Sequence, residues 1–204
     1  MISIYTLFPE VLNLNGDAAN SLVLKKNLDW AGEPAQLKTV SSECELRELI
    51  ALLEDGQEHI FVTIGHGSRA GMKSLEGFDE MIRKLIDLMS QSGTPAIVVG
   101  SSLVWADIDI AEKRERVSEF VLAKVDAEGW PREALGYLNS DLSVNPVAIK
   151  SHVILTLLHG PFLAKNPSWV ERVLELLGAT HRSSDSGNRA KEYVDEIWRI
   201  EANH

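Results

Sequence analysis

Four short strand-like runs, each closed by breakers and separated by a helical stretch, restrict this chain to one architecture. The runs are Ile2 to Leu7, Gln36 to Val40, Ile60 to Ile64 and Ala96 to Val99. The fourth follows Gly93-Thr-Pro95, has no polar residue, and reads as a central strand buried on both faces. Asp17 is placed to cap a helix from Ala18 to about Trp30, which Gly32 and Pro34 end. Ser42, with Glu45 three residues on, opens a second helix through about Glu54 as a capping box. Leu75, Phe78, Ile82, Leu85, Ile86 and Met89 share one face of a third, from about Leu75 to Ser90. Strands and helices alternating at this spacing predict a mostly parallel sheet covered on both faces.

Beyond Trp105 the pattern changes. Residues 106–116 are charged and read as surface. Val117 to Val125, Ala134 to Leu138, Val147 to Lys150 and Val153 to Leu158 read as strands without long helices between them, so antiparallel pairing is expected there. Helices over Ser168 to Leu177 and Asn188 to about Ile200 close the chain, with His181 to Gly187 as a polar loop between them. No repeat or linker interrupts the 204 residues, which read as a single domain over 1–204.

In open α/β sheets the carboxyl end of a central strand is where ligands bind and nucleophiles sit. Here that place is Gly100-Ser101-Ser102. Gly100 has no side chain and reads as a turn glycine. Ser101 and Ser102 either satisfy backbone groups of the turn or act as nucleophiles with a histidine base. A serine elbow commonly reads G-x-S-x-G, and Val99 and Leu103 flank Ser101 instead. Gly65-His66-Gly67-Ser68-Arg69 follows the third run. It reads as an exposed loop, or as backbone suited to a small carboxylate or phosphate beside Arg69. No Lys-Ser/Thr follows, so it is not a nucleotide P-loop.

The net charge of −10 and pI near 5.1 argue against a nucleic-acid-binding surface. No apolar run reaches the length of a membrane span, and the first residues lack the pattern of a signal peptide, so a cytoplasmic protein with no membrane association is expected. The single cysteine, Cys44, forms no internal disulfide, and the histidines are not at metal-ligand spacings.

Two long stretches carry a resemblance. Leu12-Asn-Leu-Asn-Gly-Asp-Ala-Ala-Asn20, running into Leu22-Val-Leu-Lys-Lys26, resembles the L-N-x-Y-G-D-x-x-N signature of CobB/CobQ-type (cobyric acid synthase) class I glutamine amidotransferases. Leu158-His-Gly-Pro-Phe-Leu-Ala-Lys-Asn-Pro167 resembles that family's L-H-G-P-x-x-x-K-N-P. Gly93 to Ser102 lies where the family has G-x-P-hydrophobics-C-G-G, and Gly136-Tyr-Leu-Asn139 is a weaker match. The nearest branch pairs with a Mur-ligase-like subunit to amidate the peptidoglycan precursor lipid II.

The resemblance implies a three-layer, flavodoxin-like α/β fold, with a mostly parallel central sheet and additional antiparallel strands. It also implies hydrolysis of glutamine by a cysteine, with His159 as the base, and delivery of ammonia to a synthetase subunit. No cofactor or metal is implied. The substrate-lining residues would be Gly65, His66, Gly67, Arg69 and Asn139. One departure is central: the family's cysteine falls on Gly100. The expectation is therefore a degenerate subunit that keeps the fold and the synthetase partner without hydrolysing glutamine. Two alternatives stay open: an amidohydrolase using Ser101 or Ser102 with His159, and a binder of glutamine or another small anion. Trp105 either packs in the core or fills the vacated glutamine pocket. Lys25 and Lys26 are a solvated face or a subunit contact.

Overall fold

The computed structural model describes residues 1–106, 113–142, 144–179 and 185–201. Strands β1 (Ile2–Leu7), β2 (Ala35–Val40), β3 (Ile60–Ile64) and β4 (Ala96–Val99) fall on the four predicted runs. They alternate with helices α1 (Ala19–Ala31), α2 (Glu43–Glu54), the short α3 (Arg69–Ser74) and α4 (Asp79–Ser92). After a 3-10 turn over Gly100–Trp105 come β5 (Lys113–Lys124), β6 (Glu133–Leu142), β7 (Val147–Lys150), β8 (Val153–Thr156) and β9 (Leu158–His159). The chain continues through α5 (Phe162–Lys165), α6 (Pro167–Leu176) and α7 (Asp185–Glu201).

Six strands form one sheet in the order β2-β1-β3-β4-β8-β7. The pairs from β2 through β8 are parallel and β7 is antiparallel to β8. The first four positions repeat the doubly wound flavodoxin-like order. All residues of β3, β4 and β8 are buried, as expected of strands covered on both faces. One helical layer contains α1 with α5, α6 and α7; α2 packs against α4 in the other. Buried apolar residues of both sheets, Ile97 and Leu138 among them, belong to one cluster. Trp105 is part of it, and its indole N–H donates to Asp79 Oδ1 at 2.6 Å at the start of α4. Among the described residues no helix is long and apolar enough to cross a membrane.

A second, antiparallel sheet has the order β5-β6-β9. The predicted strand from Val153 to Leu158 is two strands, because the chain changes sheets after Thr156. The Thr156 hydroxyl donates to Pro146 O and also accepts the Leu158 N–H, a local side-chain turn at the step between the sheets. This step hands His159 to the end of β9, opposite Tyr137 of β6.

Four other expectations need correction. Asp17 does not cap α1: Ala18 precedes the helix without a side-chain cap, and Asp17 is turned inward and buried. The third helix begins at Asp79, because Leu75 sits between α3 and a 3-10 turn over Glu76–Phe78. Of the stretch 106–116 expected at the surface, Ala106 is buried, Glu115 and Arg116 are exposed in β5, and 107–112 lie outside the described residues. Of the polar loop 181–187, residues 181–184 lie outside them too, and α7 already begins at Asp185.

Candidate functional site

The site is assembled from four chain segments that meet at the carboxyl ends of β3 and β4. The first is the elbow itself. Gly100 leaves β4 with φ +60°, a conformation that glycine adopts freely and other residues adopt at a cost. A β-carbon built on Gly100 would lie 2.6 Å from His66 Nδ1, 2.9 Å from its Cγ and 3.1 Å from His159 Cε1. The imidazole of His66 therefore stands where a side chain at position 100 would need to be. His159 faces the same point.

His66 is held there by the elbow. The Ser101 N–H donates to its Nδ1 at 2.9 Å, which leaves the ring proton on Nε2. Burial and the neighbouring His159 push its pKa from 6.5 down to about 4, so the ring is neutral at pH 7. The two imidazoles lie 4.8 Å apart between centroids, tilted by 59°.

The first residues of the loop after β3 are tied by internal hydrogen bonds. Asp17 Oδ2 accepts the His66 N–H at 2.9 Å, and the Ser101 hydroxyl accepts the Gly67 N–H at 3.0 Å. In return Ser101 Oγ donates to Gly67 O at 3.0 Å, and Ser102 Oγ donates to Gly65 O at 2.6 Å. The Leu14 N–H takes His66 O at 2.9 Å. Gly65 passes so close beneath the 11–15 segment that a β-carbon there would come within 2.1 Å of Leu12 O. These N–H groups are not free to cradle an anion. Arg69 is exposed at the first residue of α3.

His159 is fixed from the other side. Asn15 Nδ2 donates to its Nδ1 at 2.9 Å, so its proton too is on Nε2. Burial lowers its pKa, the Asn139 backbone carbonyl works against that, and the charges of Arg116 and Lys165 lower it further. The Asn139 side chain accepts from Arg116 Nε at 2.7 Å rather than facing the elbow. Lys165 Nζ donates to His159 O at 3.2 Å.

Asp17 lies beneath both loops and is completely buried. Burial raises its pKa from 3.8 to about 6, against the opposing pull of the His66 and Gly160 N–H groups and the Lys165 ammonium. Its Oδ1 has no hydrogen-bond partner.

Sequence reasoning named Gly100, Ser101, His66 and His159, and the fold brings these four together. It gave no site role to Asn15, Asp17, Lys165 or Arg116. Three of those lie inside the two motifs that carried the resemblance, which was the signal available. Other motif residues serve as latches. Asn20 Oδ1 accepts the Leu163 N–H, and Asn166 bonds to Leu135 N–H, Leu135 O and Phe162 O. Among the described residues no group of three or more His, Cys, Asp or Glu could hold a metal ion.

Comparison with known proteins gives a fold. No family model matches the sequence, and no curated protein does. The glutaminase domain of the CTP synthase of Trypanosoma brucei, solved with bound acivicin, is similar at a TM-score of 0.50 and 11% identity, over 91% of this chain and 98% of that one. A glutamine amidotransferase from Thermotoga maritima overlays at 0.46 and 9% identity, over 97% and 95%. The chain has an α/β fold of the glutamine amidotransferase type, with a mostly parallel central sheet and added antiparallel strands.

Proposed function

We propose that this chain is a CobB/CobQ-like glutamine amidotransferase homologue that does not hydrolyse glutamine. It acts as a non-catalytic subunit beside a Mur-ligase-like synthetase in amidation of a cell-wall precursor. One observation carries the loss of chemistry: the His66 ring fills the space that a nucleophile's side chain would occupy above Gly100. An acyl-transfer site needs a nucleophile, a base in reach of it and donors for the oxyanion. His159 is a base with no nucleophile in front of it. Both elbow hydroxyls donate to backbone carbonyls of the β3 loop, which disfavours the serine-nucleophile alternative. The partner clause is supported by the two signature motifs, whose residues Asn15, Asp17, Asn20, His159, Lys165 and Asn166 converge on one another.

The chemistry is tested by glutaminase assay. Wild-type turnover is expected to match an enzyme-free blank; turnover above it that disappears in His159→Ala would overturn the reading. Gly100→Cys alone is expected to stay inactive, because its β-carbon meets His66. Gly100→Cys with His66→Gly clears that contact and places a thiol before His159. The double variant is expected to alkylate with iodoacetamide faster than the exposed Cys44 and to gain measurable glutaminase activity. For the partner, co-expression with a Mur-ligase-like synthetase is expected to give one co-eluting complex, and separate elution would remove that clause.

A further inference from the structure

A cavity of about 380 Å³ lies between α1, α6 and α7. That volume is within the range of about 300–1,000 Å³ usual for small-molecule pockets. Its wall is apolar: Trp30 from α1, Leu163 from α5, Val170 and Leu174 from α6, and Ala190 and Val194 from α7. Charge is confined to a few side chains, and these are unequal. Lys191 on α7 is neutralised by Glu171 at 2.6 Å across the cavity. Lys26 is exposed, stands over the Trp30 ring with Nζ 5.4 Å from its centroid, and has no carboxylate partner among the described residues. Its neighbour Lys25, by contrast, pairs with Asp29. One turn before Lys26, Leu22 also lines the cavity and is 58% exposed. On a helix, residues four apart lie one above the other, so α1 presents an uncovered leucine, an uncompensated ammonium and a tryptophan in line.

We infer that this cavity is a binding site for a small amphipathic anion, an aliphatic or aromatic body of moderate size bearing one carboxylate. The body would lie against Trp30, Val170 and Val194, and the carboxylate would pair with Lys26. None of the residues lining it is an elbow residue or one of the two site histidines, so it stands or falls independently of the proposed function. A cation would meet Lys26 unfavourably, and a neutral alcohol of the same chain length would gain only the apolar contact.

The test uses octanoate as the probe, with octanol and octylammonium as its neutral and cationic counterparts, followed by titration calorimetry and by melting temperature on the full chain. Saturable octanoate binding is expected, with a rise in melting temperature because the ligand binds only the folded state. It should be about two- to fivefold tighter than octanol, the range of one exposed ion pair. Lys26→Glu changes an exposed side chain and should reverse the order, so that octylammonium binds better than octanoate. Ala190→Trp fills the cavity from α7 and should weaken all three probes. No saturable octanoate binding, or binding unchanged in Lys26→Glu, overturns the inference. So does sedimentation showing a dimer that Ala190→Trp dissolves, since the cavity would then belong to a second copy of the chain.

Discussion

At the scale of single residues, Asp17 and His66 are bound to each other and titrate against each other. Folded Asp17 keeps its proton up to about pH 6, whereas the unfolded carboxyl releases it near 3.8. Between those values the folded state holds more protons, so the contribution of Asp17 to stability falls as pH rises. The gap corresponds to about 3 kcal/mol. His66 runs the other way. The unfolded imidazole binds a proton below about 6.5, whereas the folded one resists until about 4, so its contribution rises with pH over nearly the same window. The two largely cancel in the native protein. Asp17→Asn keeps an acceptor for the His66 N–H and removes the buried charge. Its stability relative to wild type is expected to be near zero difference at pH 4 and about 2 kcal/mol higher by pH 7. Urea melts across that range check this, and a difference independent of pH would contradict it. The same pairing explains why a histidine is tolerated here. It is neutral, its backbone N–H is tied to Asp17, and its ring fills a gap left by a glycine.

At the scale of elements, α5 is the most dependent piece of the fold. A helix of four residues cannot hold itself together in water, because nucleation costs more than one turn returns. It is held by Asn20 from α1 and by Asn166, both fully buried. Asn166→Ala would strand the Leu135 N–H, the Leu135 carbonyl and the Phe162 carbonyl. The expected loss is about 3 kcal/mol or more, with Lys165 and the His159 backbone loosened as well. Denaturant unfolding gives the first figure, and faster amide exchange at residues 159–165 than at β3 would report the second.

Elements of this kind also mark what the sequence could reveal. The bounds of β1, β3, β4 and β7 were legible to the residue, because period and breakers are local signals. The start of β5 was not. It forms the edge of a sheet, where Glu115 and Arg116 are exposed as expected, and only the pairing with β6 makes that charged stretch a strand. Asp17 was misread for the same reason. A carboxylate before a helix looks like a cap, and only the fold brings position 66 within hydrogen-bond distance of position 17. The vacancy at Gly100 was visible in the sequence; the residue that fills it was not.

At the scale of the whole molecule, both sheets are complete before α7 begins. The last helix adds a cover rather than a core. It is joined to the body by the Trp198 indole N–H on Lys165 O and by the Lys191–Glu171 pair, and it leaves Tyr193 66% and Ile200 54% exposed. Its removal should therefore separate folding from binding. A chain ending at Ala179 is expected to unfold in one cooperative step, because the six-stranded sheet and α1 to α6 are intact. It should be less stable by about 2–4 kcal/mol, since the outer sides of Leu163 and Val170 become wet. The newly exposed surface should bind more of an apolar dye than the full chain does, and octanoate should no longer bind saturably because one wall of its cavity is gone. Far-UV circular dichroism, urea titration and dye fluorescence on the two chains decide this together. Loss of cooperative unfolding in the shorter chain would mean that α7 is part of the folding unit, and that the contacts of Trp198 and Lys191 contribute more to stability than their two bonds imply.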